Sequence, residues 1–597
     1  MCRRCHRERV QEPRQPQEDA RRGPCQCRLR HGSHDARRYR IQPHPAGGHP
    51  LTSTSHAVQT IVDNGNRLFS EKTPLLSHWQ ELAEHFYYDR ADFTGPLNIG
   101  SDYAAGSFSS RAAIYRRDMA DLYRTMLRPA DFFTVKSLDD ARNKVPDARS
   151  WLEYATAMQR AVMYRNGAGF TRATEAGDHD HLTFGQAVIE VAPTTDRRNV
   201  FFRNWHLRDV AWSEDYAGSV SDVHRNCKPT ITQLMQLFPG KVPEALTKDA
   251  AKDPYKKVTA RHVVVPAASY DTGIKIRAEH EFISLWVLPD CEGEVLENIG
   301  RTYRGYIIPR GPTVSGSQYA RSVFTSIILP DSRTQQAIER ILLEAGEKAI
   351  DPPMIATMDV IRSDIGLGAS GITWLDKEYD ERLGEALRPL PLDFSGLPAG
   401  QNMSDRLDMT IRMGMMMDKV SIPDTSDMTA YQVRKVIEQQ MRAHIPMFEP
   451  VEVEYSEPLC SETFKVMRSL GAFPANEIPD SLRGSGVEFS FKSPIKELED
   501  EGMQQKLIEG LGVIKEAAAL DPAVAKLPNA MAIAKDLTRR IGWPEEWMND
   551  DKKMAQFAEQ MAAEAQAASA AATVGGAAEM AGAAAPMVKA MQGMQAA

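Results

Sequence analysis

At 597 residues, 42% hydrophobic and 25% charged, the chain is globular in composition and too long for one ordinary core, which predicts three or four domain-sized pieces. Its net charge is −8 at pH 7, yet 12 Arg and only 5 acids fall in the first 50 residues, so the remainder is more acidic still. An acidic body argues against tight, sequence-reading DNA binding, which works by neutralising phosphate. The lack of a run of about 18 apolar residues argues against a membrane span, and without a signal-peptide pattern synthesis is expected in the cytosol.

Residues 1–50 hold Cys2, Cys5, Cys25 and Cys27 with His6, His31 and His34. The ligand types suit zinc but the spacing matches no finger. Arg without Lys, few aliphatics and no periodicity predict a disordered or misassigned extension. Recognisable protein begins near Leu51. Cys227, Cys291 and Cys460 form no framework and are expected to be reduced packing residues.

The body opens with helical spacing over Gln59–Tyr88, Arg111–Leu127 and Asp147–Asn166. Phe184–Val191 and Asn199–Phe202 read as strands. Pro229–Phe238 reads as a short helix capped by Thr230. Val258–Pro266, Ile274–Leu288 and Tyr303–Pro309 read as sheet. A helix capped by Asp331 or Ser332 is expected next, with Ile338, Ile341 and Leu342 on its buried face, ending at Asp351-Pro352-Pro353. After a compact β segment a second helix is expected from Ser404 to about Lys419, carrying Leu407, Ile411 and Met415. Ser421–Asp427 has loop composition, and a long helix follows from Thr429 to about His444. Glu457–Leu470 is helical, Val487–Phe491 is a strand, and helix resumes after Pro494. From Met554 the chain is Ala- and Met-rich, which predicts a frayed helical tail. The fold class is α+β, mainly helical.

Three motifs invite chemistry and are read blandly. Gly366–Gly371 fits GxGxxG, but no βαβ repeat surrounds it, so a turn between strands is expected. Asp178-His179-Asp180-His181 offers four adjacent metal ligands and is expected to be a solvated loop, because a rigid site draws ligands from separate elements. Gly484-Ser485-Gly486 lacks a nucleophile-elbow context and is expected to be a loop. The methionines Met403, Met409, Met413, Met415, Met416 and Met417 predict flexible core or subunit packing. No catalytic residue, metal or cofactor is assigned.

Several segments, in order, resemble the portal, or head-to-tail connector, family of podovirus-type phages. They are Trp79–Tyr87, Asp215–Gly218 to Arg225, Thr232 to Gly240, Asp351-Pro352-Pro353, Met428–Val433, Pro458 to Pro474 and Phe489–Pro494. Met428–Val433 is similar to a Met-Thr-Ala-Thr-Glu-Val pattern, with Tyr431 and Gln432 departing from it. A further departure surrounds Gly316–Tyr319.

The resemblance implies a ring, usually of twelve subunits, at one capsid vertex. It divides the chain into a wing (51–328), a first stem helix (329–350), a clip (351–402), a second stem helix (403–419), a tunnel loop (420–428), a long helix returning to the wing (429–500), and a crown with helical tail (501–597). Ile338, Ile341, Leu342, Leu407, Ile411 and Met415 become stem or subunit-interface candidates. Arg412, Lys419, Ser421, Asp424, Thr425, Ser426 and Asp427 become DNA-channel candidates. The implied partners are further copies of the chain, double-stranded DNA bound without sequence preference, the terminase large subunit, tail adaptors, and major capsid and scaffold proteins. No membrane is involved. The implied location is the virion, assembled in the bacterial cytoplasm. An acidic channel suits this role, since negative walls repel phosphate and prevent sticking. The alternatives are another virion assembly protein, such as a scaffold or minor capsid protein, or an enzyme binding nucleotide at Gly366–Gly371.

Overall fold

The computed structural model describes residues 54–566, excepting 96–99, 130, 271–276, 278, 292, 357–386, 418–449, 475, 492–493, 522–523, 525–527, 542, 544–546, 550–552 and 565. The N-terminal cysteines, Gly366–Gly371, Lys419–Asp427, the helix expected from Thr429 and the tail beyond 566 therefore lie outside the described residues.

Helix α1 (Thr54–Phe86) buries Ile61, Leu68, Trp79, Leu82 and Phe86 along one face. Lys72 shares that face. Its Nζ donates to the carbonyls of Leu207, Arg208 and Val210 at 2.9, 2.9 and 2.7 Å, while burial pulls its pKa down to about 7. These bonds pin α1 to the start of the largest sheet. Helix α2 (Arg111–Leu127) has the bounds its periodicity predicts. Strand β1 (Phe133–Ser137) pairs antiparallel with β12 (Val487–Phe491), so distant parts of the chain share a ladder. Phe132, Phe133, Phe489 and Phe491 pack around it. Helix α3 (Pro146–Met163) follows.

Helix α4 (Phe170–Phe184) is a correction to the sequence reading. The expected loop at Asp178–His181 is its last two turns, and Asp178, Asp180 and His181 are buried. The signal was misread because what makes burial tolerable is remote: arginines on other elements, described below. The strand expected from Phe184 starts instead at Ile189, in β2 (Ile189–Pro193), which lies between β3 (Val200–Asn204) and the short β9 (Tyr306–Ile307).

A five-stranded antiparallel sheet runs in chain order through β4 (Val210–Glu214), β5 (Val220–Cys227), β6 (Ala260–Pro266), β7 (Phe282–Leu288) and β8 (Glu294–Arg301). Between β5 and β6 lie α5 (Ile231–Leu237) and α6 (Glu244–Lys252). Thr230 caps α5 as expected, in a full capping box with Gln233.

Helix α7 (Thr325–Ile350) begins before the predicted cap and runs through Pro330. An interior proline costs roughly 3 kcal/mol, but Thr325, Ile328 and Leu329 are buried, and that burial holds the preceding turn in place. Strand β10 (Met354–Ala356) pairs antiparallel with β11 (Leu387–Pro389). Helix α8 (Leu397–Gly414) also starts earlier than predicted, with Pro398 in its first turn. It stops short of Lys419, where Met416 takes a left-handed φ of 56°. One π-helical turn (Glu452–Ser456) leads into α9 (Glu457–Ser469). Helices α10 (Pro494–Leu520) and α11 (Ala530–Ile541) lie towards the C-terminus. Cys460 is buried, whereas Cys227 and Cys291 are partly exposed; all three are free thiols. No helix of the described residues is long and apolar enough to cross a membrane.

Gly185 closes α4 at φ 79°, and a Cβ there would lie 2.5 Å from the backbone of both Arg321 and Ser322. Gly218, at φ 81°, has open space around it. Gly185→Ala is expected to lower the denaturation midpoint by the equivalent of at least 2 kcal/mol, roughly, by adding a clash to left-handed strain. Gly218→Ala carries the strain alone. Equal shifts for the two variants in urea melts would refute the backbone contact at Gly185.

Candidate functional site

The paired helices α7 and α8 and the buried polar layer at their root form the candidate site. Along α7, Ile328, Ser332, Gln335, Glu339 and Leu342 recur at steps of four and three, and so share a face. Along α8, Gly400, Ser404, Leu407 and Ile411 do the same, and Met415 continues the face just past the helix end.

These faces meet antiparallel. A Cβ on Gly414 would lie 2.2 Å from Ile328, Ser404 Oγ donates to Glu339 at 2.6 Å, and a Cβ on Gly400 would lie 2.9 Å from Leu342. Lengths of chain equal to within one residue therefore separate the contacts on each arm. To within one residue the spacing continues into the ladder Met354↔Pro389, Ile355↔Arg388 and Ala356↔Leu387. The helices and strands thus form one hairpin in a single register. Gly400 precedes the helix start expected at Ser404, yet it lies inside α8, and only a residue without a side chain lets Leu342 approach this closely.

The hairpin is tied down by polar groups. Gln336 Oε1 accepts from the amides of Phe108 and Ser109 at 2.7 and 3.0 Å, and its Nε2 donates to the Ser109 carbonyl at 2.6 Å. His85 Nδ1 meets Ser332 Oγ at 3.0 Å. Tyr115 donates to Asp408 at 3.0 Å, with Arg111 at 3.8 Å from both Asp408 and Glu339.

The sequence-predicted stem residues divide between faces. Ile411 and Met415 are buried, and Ile338, Leu342 and Leu407 are half-buried. Ile341 is 63% exposed in the single chain, not packed on a neighbouring helix, because it faces away from α8. It lines a cleft of about 650 Å³ with Glu84, Phe108, Gln336, Arg340 and Glu344. Arg412 is exposed on α8. Sequence reasoning missed this cleft and the Tyr115–Asp408 bond, which depend on contacts remote in the chain.

Beneath the hairpin lies the buried end of α4. The Asp180 carboxylate accepts from Arg90 Nε and Nη2 at 3.0 and 2.8 Å and from Asn204 Nδ2 at 2.7 Å. This two-pronged pair is the strong form of a charge-assisted bond. Arg128 pairs with Asp178, and Tyr123 OH lies 3.1 Å from His181 Nδ1. A second layer, in the sheets, joins His262 to Tyr306 and Ser284, and Arg225 to Tyr306 at 2.7 Å. With its arginines in place the Asp178–His181 cluster is neutralised within the fold, and no group of metal-ligating side chains exists among the described residues.

Burial pushes His181 down to about 4, helped by Arg128, and His224 down to about 3, helped by Arg261. Both rings are neutral in the fold at pH 7. In the unfolded chain they take up protons near pH 6.5. Between pH 6.5 and about 4 the unfolded state therefore binds more protons, and stability falls as pH falls, by up to about 1.4 kcal/mol per unit for each ring. The urea midpoint is expected to drop from pH 7 to pH 5. His224 makes no hydrogen bond through either ring nitrogen, so His224→Leu is expected to flatten that dependence. An identical slope in the variant would show that the ring does not titrate as its burial dictates.

Residues 59–548 match the family described as bacteriophage head to tail connecting protein. Among solved structures, the chain is similar to one in the neck of an empty gene transfer agent particle computed with C6 symmetry. Identity is 10% and TM-score 0.27, covering 67% of this chain and 89% of that one. A chain of the virion of a native gene transfer agent particle is similar at 13% identity and TM-score 0.24, covering 65% and 89%. No curated protein matches the sequence.

Proposed function

Since this chain belongs to the bacteriophage head to tail connecting protein family, a structural family of virion components, we propose that it is the portal subunit. Copies close into a twelve-membered ring at one capsid vertex, and double-stranded DNA is packaged and ejected through it. The observation that supports this reading best is the α7–α8 hairpin. Two long helices in one register leave the body and return to it, bracketing an insertion that begins and ends in the β10–β11 ladder. That is what a stem with a clip at its end requires.

In the proposed ring the stem is the hairpin. The clip, carrying β10 and β11, docks the terminase large subunit and later the tail adaptors. The segment from Lys419 to Asp427 faces the lumen beside Arg412. The β-rich block and α1–α4 form the wing, and the C-terminal helices form the crown. Major capsid and scaffold proteins surround the ring in the virion. The protein catalyses nothing itself; its acidic surface lets DNA slide.

Mass photometry of the purified full-length protein is expected to show a closed particle near twelve times 66.5 kDa. Within such rings, Lys419→Glu is expected to leave assembly intact but shorten or destabilise the packaged genome, most strongly at low salt, where fields reach further. A chain that stays monomeric overturns the ring. Wild-type packaging by Lys419→Glu at all salt concentrations overturns the lumenal role of Lys419.

A further inference from the structure

The hairpin has two unlike outer faces. On α8, opposite the face packed on α7, Asn402, Arg406, Met409 and Met413 recur at steps of four, three and four. All four are exposed, Met409 at 65% and Met413 at 58%. Large apolar side chains exposed one turn apart on a helix face offer an interaction surface. On α7, opposite the face packed on α8, the cleft exposes Ile341 and Phe108. Its rim carries two acids. Glu344 is paired with Arg340 at 3.0 Å. Glu84 accepts a hydrogen bond from the neutral Gln80 at 2.7 Å, which leaves its charge uncompensated by that contact. The one charge in the α8 stripe is Arg406. The cleft thus offers an apolar slot and an acid, and the stripe offers two apolar knobs and a base.

Because the two surfaces lie on opposite sides of one rigid hairpin, a chain cannot bring its own stripe to its own cleft. We propose that the cleft receives the α8 stripe of a second copy of this chain, with Met409 and Met413 against Phe108 and Ile341 and Arg406 against Glu84. This is a helix laid in a groove. It is also a head-to-tail contact, the kind that repeats into a ring rather than ending at a dimer. The inference rests on the portal reading and adds to it which surfaces meet.

The test uses full-length protein. The double variant Met409→Glu with Met413→Glu spoils only the stripe, and Ile341→Glu spoils only the cleft. All three positions are exposed, so circular dichroism and melting temperature are expected to match wild type. Each variant alone is expected to lose the ring and run as a monomer. Mixed together, one intact stripe meets one intact cleft, and a two-chain complex near twice 66.5 kDa is expected, with no larger species. Glu84→Cys combined with Arg406→Cys in one chain is expected to give a disulfide-linked ladder on a non-reducing gel.

Wild-type rings that survive both face variants and yield no ladder would sink this interface while leaving the portal reading intact. Variants that lose the ring but form no two-chain complex on mixing would overturn the stripe-to-cleft pairing, and would assign these faces to different partners. A wild-type chain that never forms rings would overturn the portal reading itself.

Discussion

Everything described around the paired helices depends on how α4 buries charge. Asp178 and Asp180 are removed from water on a helix that five other parts of the chain touch. Arg90, just beyond α1, grips Asp180 with two bonds, and Asn204 of β3 adds a third. Arg128, at the end of α2, pairs with Asp178. Thr325, the first residue of α7, donates to the Thr183 carbonyl, and Ser322 donates to the Leu182 carbonyl at 2.6 Å. Tyr455, in the π-helical turn before α9, reaches the Thr174 carbonyl at 3.3 Å. Removing one partner of a buried ion pair costs about 3–5 kcal/mol, because the other charge stays buried. That penalty ties the placement of α1, α2 and β3 to the pairs they make with α4.

The consequence reaches the outside of the molecule. The first residues of α7 are held by α4, and its middle is held by Gln336 and Ser332. The remaining length of α7 is steadied chiefly by α8, through Gly400 and Ser404. Small residues at that seam bring the helix axes close and leave little room for sliding. The β10–β11 ladder then carries the same register onward.

Much of this was legible in the sequence, for reasons that are local. The 3.6-residue period gave α2 its bounds, Thr230 marked the start of α5, and β-rich composition marked β12. What failed was non-local. Asp178–His181 looks like a turn until Arg90 and Arg128 are brought beside it. Pro330 looks like a boundary until Ile328 and Leu329 are seen in the core. Gly400 looks like loop until Leu342 is seen against it. Ile341 follows the apolar period of its helix, yet period alone does not say whether an apolar face meets its own chain. Here α7 carries two such faces, one towards α8 and one towards the cleft.

That ambiguity bears on how a ring could close. Subunits in a ring must repeat one contact at a fixed rotation, and small errors in that rotation accumulate around the circle. A rigid hairpin fixes the direction in which each copy presents its faces. The side chains at the contact must then absorb whatever mismatch is left. Met409 and Met413 suit this, because an unbranched thioether repacks at little cost where a β-branched residue would not. Methionine excess on α8 and scarce play along the α7–α8 seam are thus complementary: stiffness is placed inside the subunit, and tolerance is placed where the proposed neighbours meet.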